Sequence, residues 1–128
     1  MRAFDHRSMP VYRVAVAAAA DVCGLAFRLP SRGRGLSDQA MRAASSIVLN
    51  IAEGAGEFPA REKARIYRIA RRSAAETSAA LDLLVASGLA REQDANPIQE
   101  RLFEIGAMLT GLIKAQALRS PSKPSSRP

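Results

Sequence analysis

The stretch Leu36-Ser37-Asp38-Gln39-Ala40-Met41-Arg42-Ala43-Ala44-Ser45-Ser46-Ile47-Val48-Leu49-Asn50-Ile51-Ala52-Glu53-Gly54 decides the fold. Met41, Ala44, Ile47, Val48 and Ile51 recur at helical spacing and make an ordinary apolar face. Gln39, Arg42, Ser46, Asn50 and Glu53 recur at the same spacing beside it, so one helix carries two inward-looking stripes, one of them polar. Ser37 offers an N-cap oxygen, and Asp38 sits where the helix dipole favours an anion. Gly54 and Gly56 offer positive-φ stops, which predicts a helix from Ser37 to Gly54.

Working outward, Pro59 opens a third helix that runs to Ser87 and is stopped by Gly88. Upstream, Pro10 to Arg28 places Val11, Val14, Ala15, Ala18, Val22, Leu25 and Ala26 on one stripe, and the basic loop from Pro30 to Gly35 joins this helix to the next. Downstream, Leu89 to Ala95 reads as a connection. Asn96-Pro97 then starts a fourth helix with Ile98, Leu102, Ile105, Leu109, Leu112 and Ile113 on one face. No strand-like alternation interrupts this pattern. The fold class predicted is all-α, an antiparallel up-down-up-down four-helix bundle over residues 9–118, with an N-terminal arm at 1–8 and a disordered basic tail at 119–128.

The chain has 128 residues, enough for one domain with a real core but not for two. One cysteine rules out an internal disulfide framework, and Cys23, amid alanines, reads as a small core residue. A single His and a single Cys leave metal sites and nucleophilic triads short of parts, so no metal, cofactor or enzyme activity is expected. The apolar run from Val14 to Ala20 is stopped by Asp21, short of the roughly 20 residues a bilayer span needs. These features point to a cytoplasmic protein without a membrane partner.

In the third helix Ser73, Glu76 and Thr77 answer the polar stripe of the second. Buried polar groups left unpaired cost about 1 to 3 kcal/mol each, so such stripes pair with one another, meet water or serve a site. A network between the helices is the simplest resolution, with Arg42 serving Glu53 or Glu76 and with Ser46 and Asn50 as bridges. A ligand site, a subunit interface and general acid/base work by Glu53 and Glu76 remain the alternatives.

The second feature is charge, with 19 Lys and Arg against 12 Asp and Glu. Arg61, Lys63, Arg65, Arg68, Arg71 and Arg72 crowd the start of the third helix against Glu62 alone. Arg61, Arg65, Arg68 and Arg72 step by four, three and four, which aligns them on one face over about 16 Å. Such a row suits successive phosphates of RNA or DNA, and six phosphate contacts imply a log-log salt slope of about −5. Two Tyr and four Phe form no stacking platform, so no base-specific reading is implied. A purely solvated charged face is the competing reading.

The segment from Leu36 to Gly54, with its Asn-Ile-Ala-Glu-Gly ending, and the segment from Tyr67 to Thr77 resemble the four-helix bundle proteins encoded in intervening sequences of bacterial large-subunit ribosomal RNA genes. The resemblance implies a homopentamer related to the accessory variability determinant of diversity-generating retroelements, a basic pentamer that binds nucleic acid and its reverse transcriptase. It maps the family's polar positions onto Gln39, Arg42, Ser46, Asn50, Glu53, Ser73 and Glu76. Arg72 stands where the family often has Gly, and Val48-Leu49 where Pro and a small residue are common. The function expected is therefore a non-enzymatic homo-oligomer with a basic surface for nucleic acid, accessory to a reverse transcriptase or another nucleic-acid enzyme, the alternative being an assembly scaffold.

Overall fold

A computed structural model describes residues 5–56 and 58–119. Expectations for the first four residues, for Glu57 and for the tail from Ser120 onward lie outside the described residues. Among the described residues the fold consists of four helices and two short 3-10 turns: α1 (Pro10–Arg28), α2 (Arg34–Gly54), α3 (Ala60–Ala86) and α4 (Glu92–Arg119). No strand occurs among the described residues.

Each helix contributes one apolar stripe to a common core. Val22, Ile47, Ile51, Leu81, Leu84, Ile105 and Leu109 are buried almost completely, and small alanines such as Ala15, Ala40 and Ala70 let the helix backbones approach. Burying a Leu or Ile side chain is worth about 1.5 to 3 kcal/mol, so this core rather than helix propensity holds the bundle. The bonds Ser46 to Ser73 and Lys63 to Gly54 show α2 and α3 running antiparallel. Arg71 to Thr110 and Ser78 to Gln99 show the same for α3 and α4. Asp21 of α1 meets Arg101 of α4 at 2.5 Å.

Two helix starts differ from the sequence reading. α2 begins at Arg34, so Ser37 lies inside the first turn, buried and with its hydroxyl unpaired, and is not the cap. α4 begins at Glu92, so Pro97 lies inside it. There Pro97 removes one backbone bond near the exposed start of the helix, where water can serve the freed carbonyl, and the Arg91–Asp94 pair at 2.9 Å braces the first turn instead. Gly88, at φ 77°, is the one described glycine with positive φ. Gly54 and Gly56 therefore do not end α2 by a left-handed turn. Pro10 to Arg28 is by length and composition apolar enough to cross a bilayer. In the bundle its Val11, Ala15, Ala18, Val22 and Leu25 are core residues.

Candidate nucleic-acid interface

The two faces of α3 differ in how their polar groups are satisfied. Toward α2, the Ser46 and Ser73 hydroxyls meet at 2.8 Å, and Asn50 Nδ2 donates to the Ser46 carbonyl at 2.8 Å and to its hydroxyl at 3.0 Å. Thr77, fully buried, donates to the Ser73 carbonyl at 2.7 Å. The polar seam thus unites Ser46, Asn50, Ser73 and Thr77. Gln39, Arg42, Glu53 and Glu76 are exposed and make no hydrogen bond or ion pair among the described residues, so the Arg42 pairing with Glu53 or Glu76 is not formed. Their helical angle turns them to water, where an ion pair is worth only about 0 to 1 kcal/mol. Glu53 lies two turns beyond Ser46 in one direction and Glu76 one turn beyond Ser73 in the other. That separates the two carboxylates by about 15 Å along the bundle and leaves them no shared site.

The end of α2 is set by close packing. A Cβ on Gly54 would stand 2.5 Å from Tyr67 Cε1, so only glycine lets the buried Tyr67 ring lie against this turn. Burial in turn pushes the Tyr67 phenol above its ordinary pKa. Lys63 Nζ donates to the Gly54 carbonyl at 2.7 Å and closes the helix. Desolvation, reinforced by the nearby Arg119 charge, lowers the Lys63 pKa. In the sequence Gly54 reads as a helix stop and Lys63 as a phosphate ligand. A glycine three residues after a fully buried Ile51, with an aromatic in the following helix, is the signal for the contact.

On the outer face of α3, Arg61, Arg65, Arg68 and Arg72 are all exposed. Arg65 is partly engaged: Nε and Nη2 both donate to Glu62 Oε1, at 2.9 and 2.6 Å. That bond holds the Glu62 carboxyl below, and the Arg65 guanidinium above, their usual values. Arg61, Arg68 and Arg72 have no ion-pair or hydrogen-bond partner among the described residues. Arg71 is half-buried and donates to the Thr110 hydroxyl at 3.2 Å, so it pins α3 to α4. Of the six basic residues picked out in the sequence, Lys63 and Arg71 hold the fold and four form the outer row.

Cys23 is exposed, contrary to its reading as a core residue. It belongs to an outer stripe of α1 with Val16, Ala20 and Phe27, the last of them 93% exposed. On the α3–α4 side, a groove of about 660 Å³ runs between Ala75, Gly106 and Ala107, with Phe103 standing 84% exposed at its edge. No cluster of three or more His, Cys, Asp or Glu side chains placed to hold a metal occurs among the described residues.

An antiparallel helical bundle with a satisfied internal polar seam and an outer arginine row, of which Arg65 alone is paired among the described residues, defines the class: a small basic helical-bundle protein. The 23S rRNA-intervening sequence protein family model matches residues 7–111, and the chain belongs to that family. No curated protein matches the sequence.

Proposed function

We propose that this protein is a non-enzymatic homo-oligomeric bundle that binds RNA or DNA through the phosphate backbone, without reading sequence. The observation that carries the reading is the outer row of α3, where Arg61, Arg68 and Arg72 stand exposed without an acidic partner and Arg65 can leave Glu62 for a stronger anion. An exposed Arg–Glu pair is a weak competitor for a guanidinium that a phosphate can bind bidentately. Four arginines each meeting one phosphate imply a log-log salt slope of about −3 to −4. Self-association is supported by the apolar stripe on α1 and the Phe103 groove on the α3–α4 side, two separate exposed apolar surfaces that a lone bundle leaves in water. The accessory role beside a reverse transcriptase or another nucleic-acid enzyme, the pentameric count and the cytoplasmic setting are taken from the resemblance and the composition.

Titration of nuclease-treated protein into a generic RNA duplex and a generic DNA duplex over a range of salt tests the reading. A steep slope, equal across sequences, is expected. Absence of binding at low salt would leave the same apolar surfaces to support the second reading, a scaffold for protein assembly with no nucleic-acid role.

A further inference from the structure

Charge is segregated along the bundle in a way that the sequence order hides. The antiparallel pairing puts the start of α3 beside the finish of α4, and at this end the bases outnumber Glu62, which is tied to Arg65, and the exposed Glu53, which is close enough to act on the same Arg65 charge. Lys114 lies one turn beyond Thr110, on the stripe of α4 that meets Arg71, and Arg119 lies close enough to Lys63 to act on its charge. Lys114 and Arg119 are both exposed and have no acidic partner among the described residues.

The opposite end is different. There Arg91 is paired with Asp94 and Arg101 with Asp21, and the exposed Asp82, Glu92 and Glu100 offset the exposed Arg28, Arg32 and Arg34. α3, with 27 residues, is about 40 Å long, several times the Debye length of about 8 to 10 Å at physiological salt. A phosphate therefore feels the local charge of one end, not the net charge of the chain.

Resting on the phosphate-binding reading above, we infer that the polyanion is held at one end of the bundle only, on a surface made by two helices: Arg61, Arg65, Arg68 and Arg72 of α3 together with Lys114 and Arg119 of α4. The opposite end, where acids and bases offset one another, takes no part, and neither do the exposed Arg32 and Arg34 of its α1–α2 corner. The ligand class is a nucleic-acid backbone, because a row of arginines widened by a second helix matches repeated phosphates better than one small anion.

The test compares two variants that remove the same charge from opposite ends, Lys114→Gln/Arg119→Gln and Arg32→Gln/Arg34→Gln, in binding to a generic RNA duplex over salt. All four side chains are exposed, and glutamine places no acid beside Lys63, so circular dichroism and melting should match the parent for both. The α4 pair should lower the salt slope by about 2 and weaken binding roughly 10- to 100-fold at 0.1 M salt. The corner pair should stay within about twofold of the parent. Equal weakening by both pairs would show that binding follows net charge and would overturn the inference. No effect of the α4 pair, with Arg68→Gln/Arg72→Gln still harmful, would confine the surface to α3 and overturn it too, while leaving the phosphate-binding reading intact. A parent protein that does not bind at low salt would overturn that reading itself.

Discussion

The two sides of α3 carry polar residues at the same helical spacing and put them to opposite uses. On the side facing α2, Ser73 and Thr77 are buried, and their hydroxyls are bonded within the chain. On the outer side Arg61, Arg68 and Arg72 are solvated and unpaired. A buried hydroxyl gains by finding its partner in the fold, because leaving it unpaired, as Ser37 is, costs about 1 to 3 kcal/mol. An exposed guanidinium has no such obligation and stays available to another molecule. The seam is therefore consumed by the fold, while the row stays free for another molecule.

The comparison is broken most strongly by charge reversal on the row. Arg68→Glu/Arg72→Glu should reduce affinity for RNA and DNA duplexes by 100-fold or more at about 0.1 M salt, alike for all sequences, with an unchanged melting temperature. A drop in melting temperature alone would make these arginines part of the fold. Next in size, Gly54→Ala drives a methyl into the Tyr67 ring and should cost about 1 to 3 kcal/mol, read as a fall in denaturant midpoint with an unchanged slope. Adding Tyr67→Leu to Gly54→Ala should make the two costs less than additive. Strict additivity would dismiss the contact.

Smaller still, Ser73→Ala removes one seam bond and Asn50→Ala two, each expected to cost about 1 kcal/mol without altering affinity for nucleic acid. The smallest effect concerns pH. The Glu62 carboxyl titrates lower in the folded protein than in the unfolded chain, so the unfolded state binds more protons as pH falls through the unfolded value. Whatever stability the Arg65 pair adds is present above that value and is lost as pH drops through the folded one. The pair is exposed, so NMR titration should detect the low midpoint while melting temperature barely changes between neutral and mildly acidic pH.

Much of the fold was legible in the residues. Apolar stripes at helical spacing located four helices, and Pro10 to Arg28 matched α1 at both ends. The starts of α2 and α4 were displaced because Ser37 and Asn96-Pro97 are good starting signals in isolation, yet core packing continues each helix past them. The polar seam was legible as a stripe but not as a membership. Ser46, Asn50, Ser73 and Thr77 are short enough to be bonded between or within closely packed helices. Arg42, Glu53 and Glu76 are long and charged, and the same periodicity turns them to water. The basic row was legible for the same reason in reverse: steps of four, three and four fix a face but cannot say which arginines are already occupied. Lys63 and Arg71 lie off that face, where α2 and α4 take their donors. Cys23 was misplaced because alanine neighbours are equally at home inside and outside a small-residue helix.

We propose that the row binds a polyanion and that the seam does not. This is tested most directly by measuring the salt dependence of RNA-duplex affinity for the parent, for Arg61→Gln/Arg68→Gln/Arg72→Gln and for Ser73→Ala in one series. The predicted result is a slope lowered by about 3 in the row variant and unchanged in the seam variant, which melts earlier instead. Equal slopes in all three proteins would show that the row does not bind phosphates.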